Sequence, residues 1–360
     1  MNIKRFLGIA LASAIVISAL AGCNSDSSSS SGNDLSAGTS VAETKATGDS
    51  TESSKELREL RVAVMTTQPD QYATYIGEQE GIFEKYNIKL ETTEYAAGIN
   101  TVDAIVNGTA DTGLLADFAA VNRIGNTLHD TNLNLFAELN TSTSNVGGIY
   151  VAPEYADDVS KLENSSGWIT TIGTVSEYFN WQAQTYLGLD PEKQKLVNTD
   201  SVQTSLALAE KGDAAAVVAT GSQSSRYEDI GWKLVASPDD FGYSVGCYLV
   251  TTDEFFDANT DLLADYLKAL DESVSFINDN LDSSAEKVSS KFGMEKDDFI
   301  SDWQRYNIVL GSTEEGAAHL DDVNNWAYSN GKYSEEYNIR DFIRTEAVEK
   351  AFPDRVTVKK

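Results

Sequence analysis

Three carboxylates, Asp70, Asp117 and Glu177, stand where strand-like segments run into helix starts. In α/β proteins, ligands collect beyond the carboxyl ends of strands, where such loops converge. Polar residues in the same set of loops are Gln68, Thr141, Ser142, Thr174, Ser176, Asp200, Thr220 and Gln223. Tyr72, Phe118, Tyr178, Trp181 and Tyr243 add flat faces that can stack on a ring or a cation. Carboxylates beside aromatic faces suit an amine, an amidine-like ring or a zwitterion. Gly173-Thr174-Val175-Ser176 suits the opposite charge, because a helix start offers N–H groups and a partial positive end to a sulfonate, carboxylate or phosphate. Ser176 can equally be a plain helix cap, and each carboxylate a cap or a surface group. Both ligand charges stay open at this point.

Catalysis finds little support. His129 and His319 lie far apart, in stretches that read as loop and helix surface. There is no metal-ligand cluster, no Gly-x-Ser-x-Gly elbow and no Walker loop, so no cofactor or metal is expected. The net charge of −29 over 360 residues argues against nucleic acid and against an anionic lipid surface as the main ligand. With 41% hydrophobic residues, the chain has enough apolar material for two core-forming lobes.

Two stretches carry the same pattern of helix, glycine and short strand: Gly98–Phe118 and Val202–Thr220. Their glycines, Gly108 and Gly212, fall where a helix ends in a left-handed residue. Strands and helices alternate from Leu60 to Thr251, which predicts an α/β architecture of parallel-rich sheets flanked by helices. Gly147-Gly148 and Val245-Gly246 read as two strands that cross between lobes and form a hinge. The expected division is residues 57–148 with 246–360 as one lobe and 149–245 as the other. From Asp253 onward the spacing is helical, including segments at Phe299–Tyr306, Leu320–Tyr328 and Ile339–Ala351.

The first 22 residues read as an export signal: Lys4 and Arg5, then an apolar run from Phe6 to Leu20. Leu20-Ala21-Gly22-Cys23 resembles the lipoprotein box of bacterial signal peptides. That resemblance implies cleavage before Cys23 and a lipid on its sulfur. Residues 23–56 are rich in Ser, Gly, Asp and Thr and read as a flexible tether, which suits a thick cell wall. Cys247 lies in the apolar run GCYLV and reads as a small buried strand residue.

The strand, the Gln68-Pro69 turn, the segment Gly81–Glu91 (GIFEKYNIKLE) and the run A-I-V-N-G-T-A-D-T-G from Ala104 to Gly113 resemble extracytoplasmic solute-binding proteins. The closest group is the nitrate, sulfonate, taurine and thiamine-pyrimidine-precursor binding family of ABC importers, over roughly residues 58–280. Asn87 stands where that family usually has glycine, and asparagine also accepts a left-handed backbone. The resemblance implies a two-lobe, type II periplasmic-binding-protein fold. It implies a monomer that captures a small organic solute, a sulfonate- or taurine-like zwitterion or a pyrimidine-like heterocycle, and docks on ABC permease subunits in the membrane. The cysteine- and histidine-rich site of the related fungal pyrimidine synthases has no counterpart here. A ligand-sensing surface lipoprotein and an extracellular enzyme on the same scaffold are the alternatives.

Overall fold

β-branched and apolar residues at alternating positions build two mixed sheets, and the chain passes between them twice. The computed structural model describes residues 57–66, 68–95, 98–130, 132–142, 147–242 and 244–359, which fall within one compact unit, Ser54–Lys360. The signal segment, the tether with Cys23, and Tyr243 lie outside the described residues, as does the side chain of Ser142.

The strands are β1 (Arg58–Met65), β2 (Ile88–Tyr95), β3 (Thr112–Ala116), β4 (Leu133–Ser142), β5 (Gly147–Val151), β6 (Trp168–Thr170), β7 (Leu196–Asn198), β8 (Ala216–Thr220), β9 (Lys233–Ala236), β10 (Val245–Thr252) and β11 (Tyr306–Gly311). The longer helices are α1 (Pro69–Gln79), α2 (Gly98–Val106), α3 (Asp117–Asn126), α4 (Val175–Tyr186), α5 (Val202–Lys211), α6 (Asp253–Asp279), α7 (Leu281–Phe292), α8 (Lys296–Gln304) and α9 (Glu314–Ser329). One sheet runs β11-β4-β10-β3-β1-β2 and the other β7-β6-β8-β5-β9. This is the two-lobe type II periplasmic-binding-protein fold. Its crossing strands are β5, which follows β4 into the second sheet, and β10, which returns to the first.

The pairs β1·β2, β1·β3, β6·β7 and β6·β8 are parallel, as strand–helix alternation predicts. The crossing strands pair antiparallel with both of their neighbours, which makes the sheets mixed. Gly147 and Gly148 show why β5 can pass so tightly between β8 and β9. Their φ angles are +98° and +141°, and a Cβ would lie 2.2 Å from Ala219 O and 2.0 Å from Ala236 O, respectively. No side chain fits there.

Successive residues of each strand face opposite ways, so the first sheet has two cores. Val62, Val64, Leu114 and Leu249 pack on Tyr72, Ile76, Tyr266, Leu270 and Phe299 on one face. Ala63, Leu115, Tyr248 and Val250 pack on Val102, Phe118, Val121, Leu320 and Val323 on the other. The two helix–glycine units recur as expected, with Gly108 at φ +70° and Gly212 at φ +75°. Asn87 is left-handed at φ 57°.

Two C-terminal expectations need correction. The helix near Phe299 ends at Gln304, and β11 follows it as the edge strand beside β4. The stretch from Ile339 to Ala351 is not one helix: a 3₁₀ turn at Ile339–Phe342 precedes a short helix at Glu346–Ala351.

Candidate functional site

A cleft of about 280 Å³ opens where both sheets present their strand ends. The first sheet supplies Met65, Ala116, Asn140, Val245 and Cys247, and the second supplies Val218 and Thr220. Gln68 leads into α1, and Val175, Ser176 and Phe179 lie on the first turns of α4. Gln223, Arg305 and Tyr306 complete the wall. Of the residues singled out in the sequence, Gln68, Ser176, Thr220 and Gln223 line this cleft.

The three carboxylates do not. Asp70 is 1% exposed, and its Oδ2 accepts from the Met65 N–H at 3.0 Å. Asp117 is wholly buried; its Oδ2 accepts from the Gly246 N–H at 2.9 Å and meets His319 Nε2 at 2.6 Å. It therefore ties α3 and α9 to a crossing strand. Glu177 accepts from the Gly173 N–H and pairs with Lys332. The carboxylate-lined cleft expected from the loops is thus corrected: each carboxylate is spent on its own helix start or on a neighbouring cation, because a buried charge must find partners.

The other residues have equally local roles. Tyr72 sits edge-on to Phe299 with ring centroids 5.0 Å apart, and Phe118 meets Trp326 at 5.4 Å. Tyr178 and Trp181 also pack on Trp326, at 5.0 and 5.9 Å. These aromatic residues join helices to one another, and Phe179, which the sequence reading passed over, faces the cleft instead. Thr141 Oγ1 accepts from Asn307 Nδ2, and Asp200 is exposed. Thr174 is the N-cap of α4, accepting from the Ser176 N–H, while the Ser176 hydroxyl accepts from the Thr171 N–H at 2.7 Å. His319 is no ordinary surface histidine: burial pushes its pKa down, but the bond to Asp117 prevails and the net shift is upward.

Among the described residues, Arg305 is the one charged side chain lining the cleft. Its Nε lies 3.3 Å from Asp302 Oδ1 and its Nη2 3.1 Å from the Tyr306 hydroxyl. It reaches across to the second lobe. Gly221 has φ +61°, and a Cβ there would lie 2.8 Å from Arg305 Cζ, so this glycine leaves room for the guanidinium. Two helix starts border the same space. Gln68 and Ala116, the N-caps of α1 and α3, make no side-chain cap and both line the cleft. A guanidinium favours an anion, and Val175, Phe179, Val218 and Val245 offer apolar surface beside it.

The NMT1/THI5-like family model matches residues 68–282, more than half of the 360-residue chain. The chain belongs to that family. Its fold is that of the type II periplasmic solute-binding proteins. Among solved structures, the fold is similar to that of the periplasmic aliphatic sulphonate binding protein of Escherichia coli, at 16% identity and TM-score 0.67, over 79% of this chain and 97% of that one. The alkanesulfonate-binding protein of Xanthomonas axonopodis pv. citri, bound to MOPS, aligns at 13% identity and TM-score 0.66, over 80% and 98%. The nitrate-binding protein of Synechocystis aligns at 13% and 0.63, over 82% and 88%. At such identities the likeness is one of fold. No curated protein sequence matches the chain significantly.

Proposed function

We propose that this family member captures a small organic oxyanion, with a sulfonate as the head group, for import. The observation that carries the reading is the cleft wall: Arg305 as its one charged side chain among the described residues, with apolar side chains beside it and no carboxylate. An ammonium group would find no counter-charge there, which disfavours a taurine-like zwitterion. The sulphonate-binding relatives named above support the same head group. We further propose the division into residues 57–148 with 246–360 and 149–245, and anchoring through lipid on Cys23.

Titration calorimetry with methane- to butanesulfonate, nitrate, taurine and an aminopyrimidine tests the ligand class. Each buried methylene contributes about 0.8 kcal/mol, so affinity should rise roughly fourfold per carbon until the cleft is full. Nitrate should bind weakly, since it leaves the apolar wall unused. Tighter binding of the aminopyrimidine or of taurine than of every alkanesulfonate would reject the proposal.

The lobes also meet outside the cleft. Lys332 pairs with Glu177 and lies over the Trp326 ring at 5.7 Å, which bridges α4 to the end of α9. A contact that ties the two lobes together adds to the stability of the closed arrangement. Lys332 is 28% exposed and Glu177 9%, so the pair contributes only about 1 kcal/mol. Lys332→Met should speed ligand release several-fold, measured by stopped flow, while butanesulfonate still binds.

A further inference from the structure

Asn140 is wholly buried, yet neither its amide nitrogen nor its amide oxygen has a hydrogen-bond partner of ordinary geometry. It lines the cleft on β4, directly opposite Cys247 on β10, which lines the cleft too. The amide borders that thiol, and burial keeps the thiol protonated. A thiol is a weak donor and a weak acceptor, so it cannot satisfy an amide that offers two N–H groups and a carbonyl oxygen. The other polar residues of the cleft differ. Ser176 is engaged by the loop before α4, Gln223 is exposed, and Arg305 and Tyr306 contact each other. Asn140 alone combines complete burial with an unpartnered amide at the cleft wall.

Resting on the organic-anion reading, we infer that Asn140 selects the ligand: an organic anion that also carries an uncharged hydrogen-bond donor, a hydroxyl or an amide N–H. A sulfonate oxygen can accept from the amide N–H groups but can give nothing to the amide oxygen. The oxygen therefore needs a donor from elsewhere on the ligand. A charged ammonium is a poor choice, because Arg305 is the one charge on the cleft wall among the described residues. The volume of about 280 Å³ lies at the small end of ligand pockets, so the donor and the anionic head belong to one short molecule. A site built around such a donor rejects an analogue lacking it, because its own buried oxygen is then left unpaired.

The test compares 2-hydroxyethanesulfonate with 1-propanesulfonate, which places a methyl where the hydroxyl was, by calorimetry on the full chain. The wild-type protein should bind the hydroxylated anion at least tenfold more tightly, and taurine more weakly than either. Asn140→Leu, with folding verified by circular dichroism, should remove that preference or invert it. Equal affinities in the wild type, a preference retained in Asn140→Leu, or taurine as the tightest of the three would overturn the inference and leave the anion reading standing. Binding of neither sulfonate, with the aminopyrimidine bound instead, would overturn both.

Discussion

Arg305→Met should abolish sulfonate binding, with the dissociation constant rising by two to three orders of magnitude and the fold intact. Two effects add. The first is the loss of charge-assisted hydrogen bonds to the anion, about 1.5–3 kcal/mol. The second concerns Asp302, which is 4% exposed and lies 3.3 Å from Arg305 Nε. Without the guanidinium, its carboxylate becomes the nearest charge behind the cleft wall, and the field there changes sign. A buried carboxylate left without its cation costs several kcal/mol, part of which the anion would feel as repulsion. Arg305→Met combined with Asp302→Asn separates the two: if repulsion matters, the double variant binds more tightly than the single one. Arg305→Lys should recover only part of the affinity, because a lysine keeps the charge but loses the planar fork. Unchanged sulfonate affinity in Arg305→Met would refute the anion site.

Arg305 also shows where reading the sequence ran out. The strand ends and helix starts of the first 250 residues follow from local rules: alternating apolar residues, Pro69 at the start of α1, and glycines after α2 and α5. The loops around the cleft were legible for that reason. The direction of each side chain was not. Asp70 and Asp117 lie in the first turns of their helices, yet they turn inward to backbone N–H groups rather than toward a ligand. A one-residue change of direction decides between a ligand contact and a core carboxylate, and periodicity does not resolve it. The cation was missed because it comes from the region read as helical. The run Ile308-Val309-Leu310 after Tyr306 is the one local sign of a strand there, and it is too short to outweigh the helical spacing before it. Phe179, Asn140 and Tyr306 were likewise set by tertiary packing. Gly147-Gly148, in contrast, announced the crossing at the level of sequence, since paired glycines mark a close backbone approach.

Asp70→Asn should stabilise the protein at pH 8 and leave it nearly unchanged at pH 5. Burial is the main cause of the raised Asp70 pKa, which reaches about 7, and the N–H groups of Met65 and Gln71 offset it only in part. Its Oδ1 has no hydrogen-bond partner of ordinary geometry. In the unfolded chain the same carboxyl titrates near 3.9. Between these two values the native state holds a proton that the unfolded state has lost, so stability falls as pH rises from about 4 to about 7, then levels off. The full span is on the order of 4 kcal/mol, of which about 3 falls between pH 5 and pH 8. Asparagine cannot ionise, so the variant's advantage should grow by about that amount across the window, as several degrees of melting temperature. The His319–Asp117 pair adds its own loss of stability as pH rises through the raised His319 pKa, but it is common to both proteins and cancels in the difference. Function should follow the same window. A neutral Asp70 leaves the start of α1 positive toward the cleft, whereas an ionised one opposes it, so sulfonate affinity should fall from pH 6 to pH 8 in the wild type and less so in Asp70→Asn. Parallel melting curves for the two proteins from pH 5 to 8 would show that Asp70 is ionised throughout, and would remove this account of both trends.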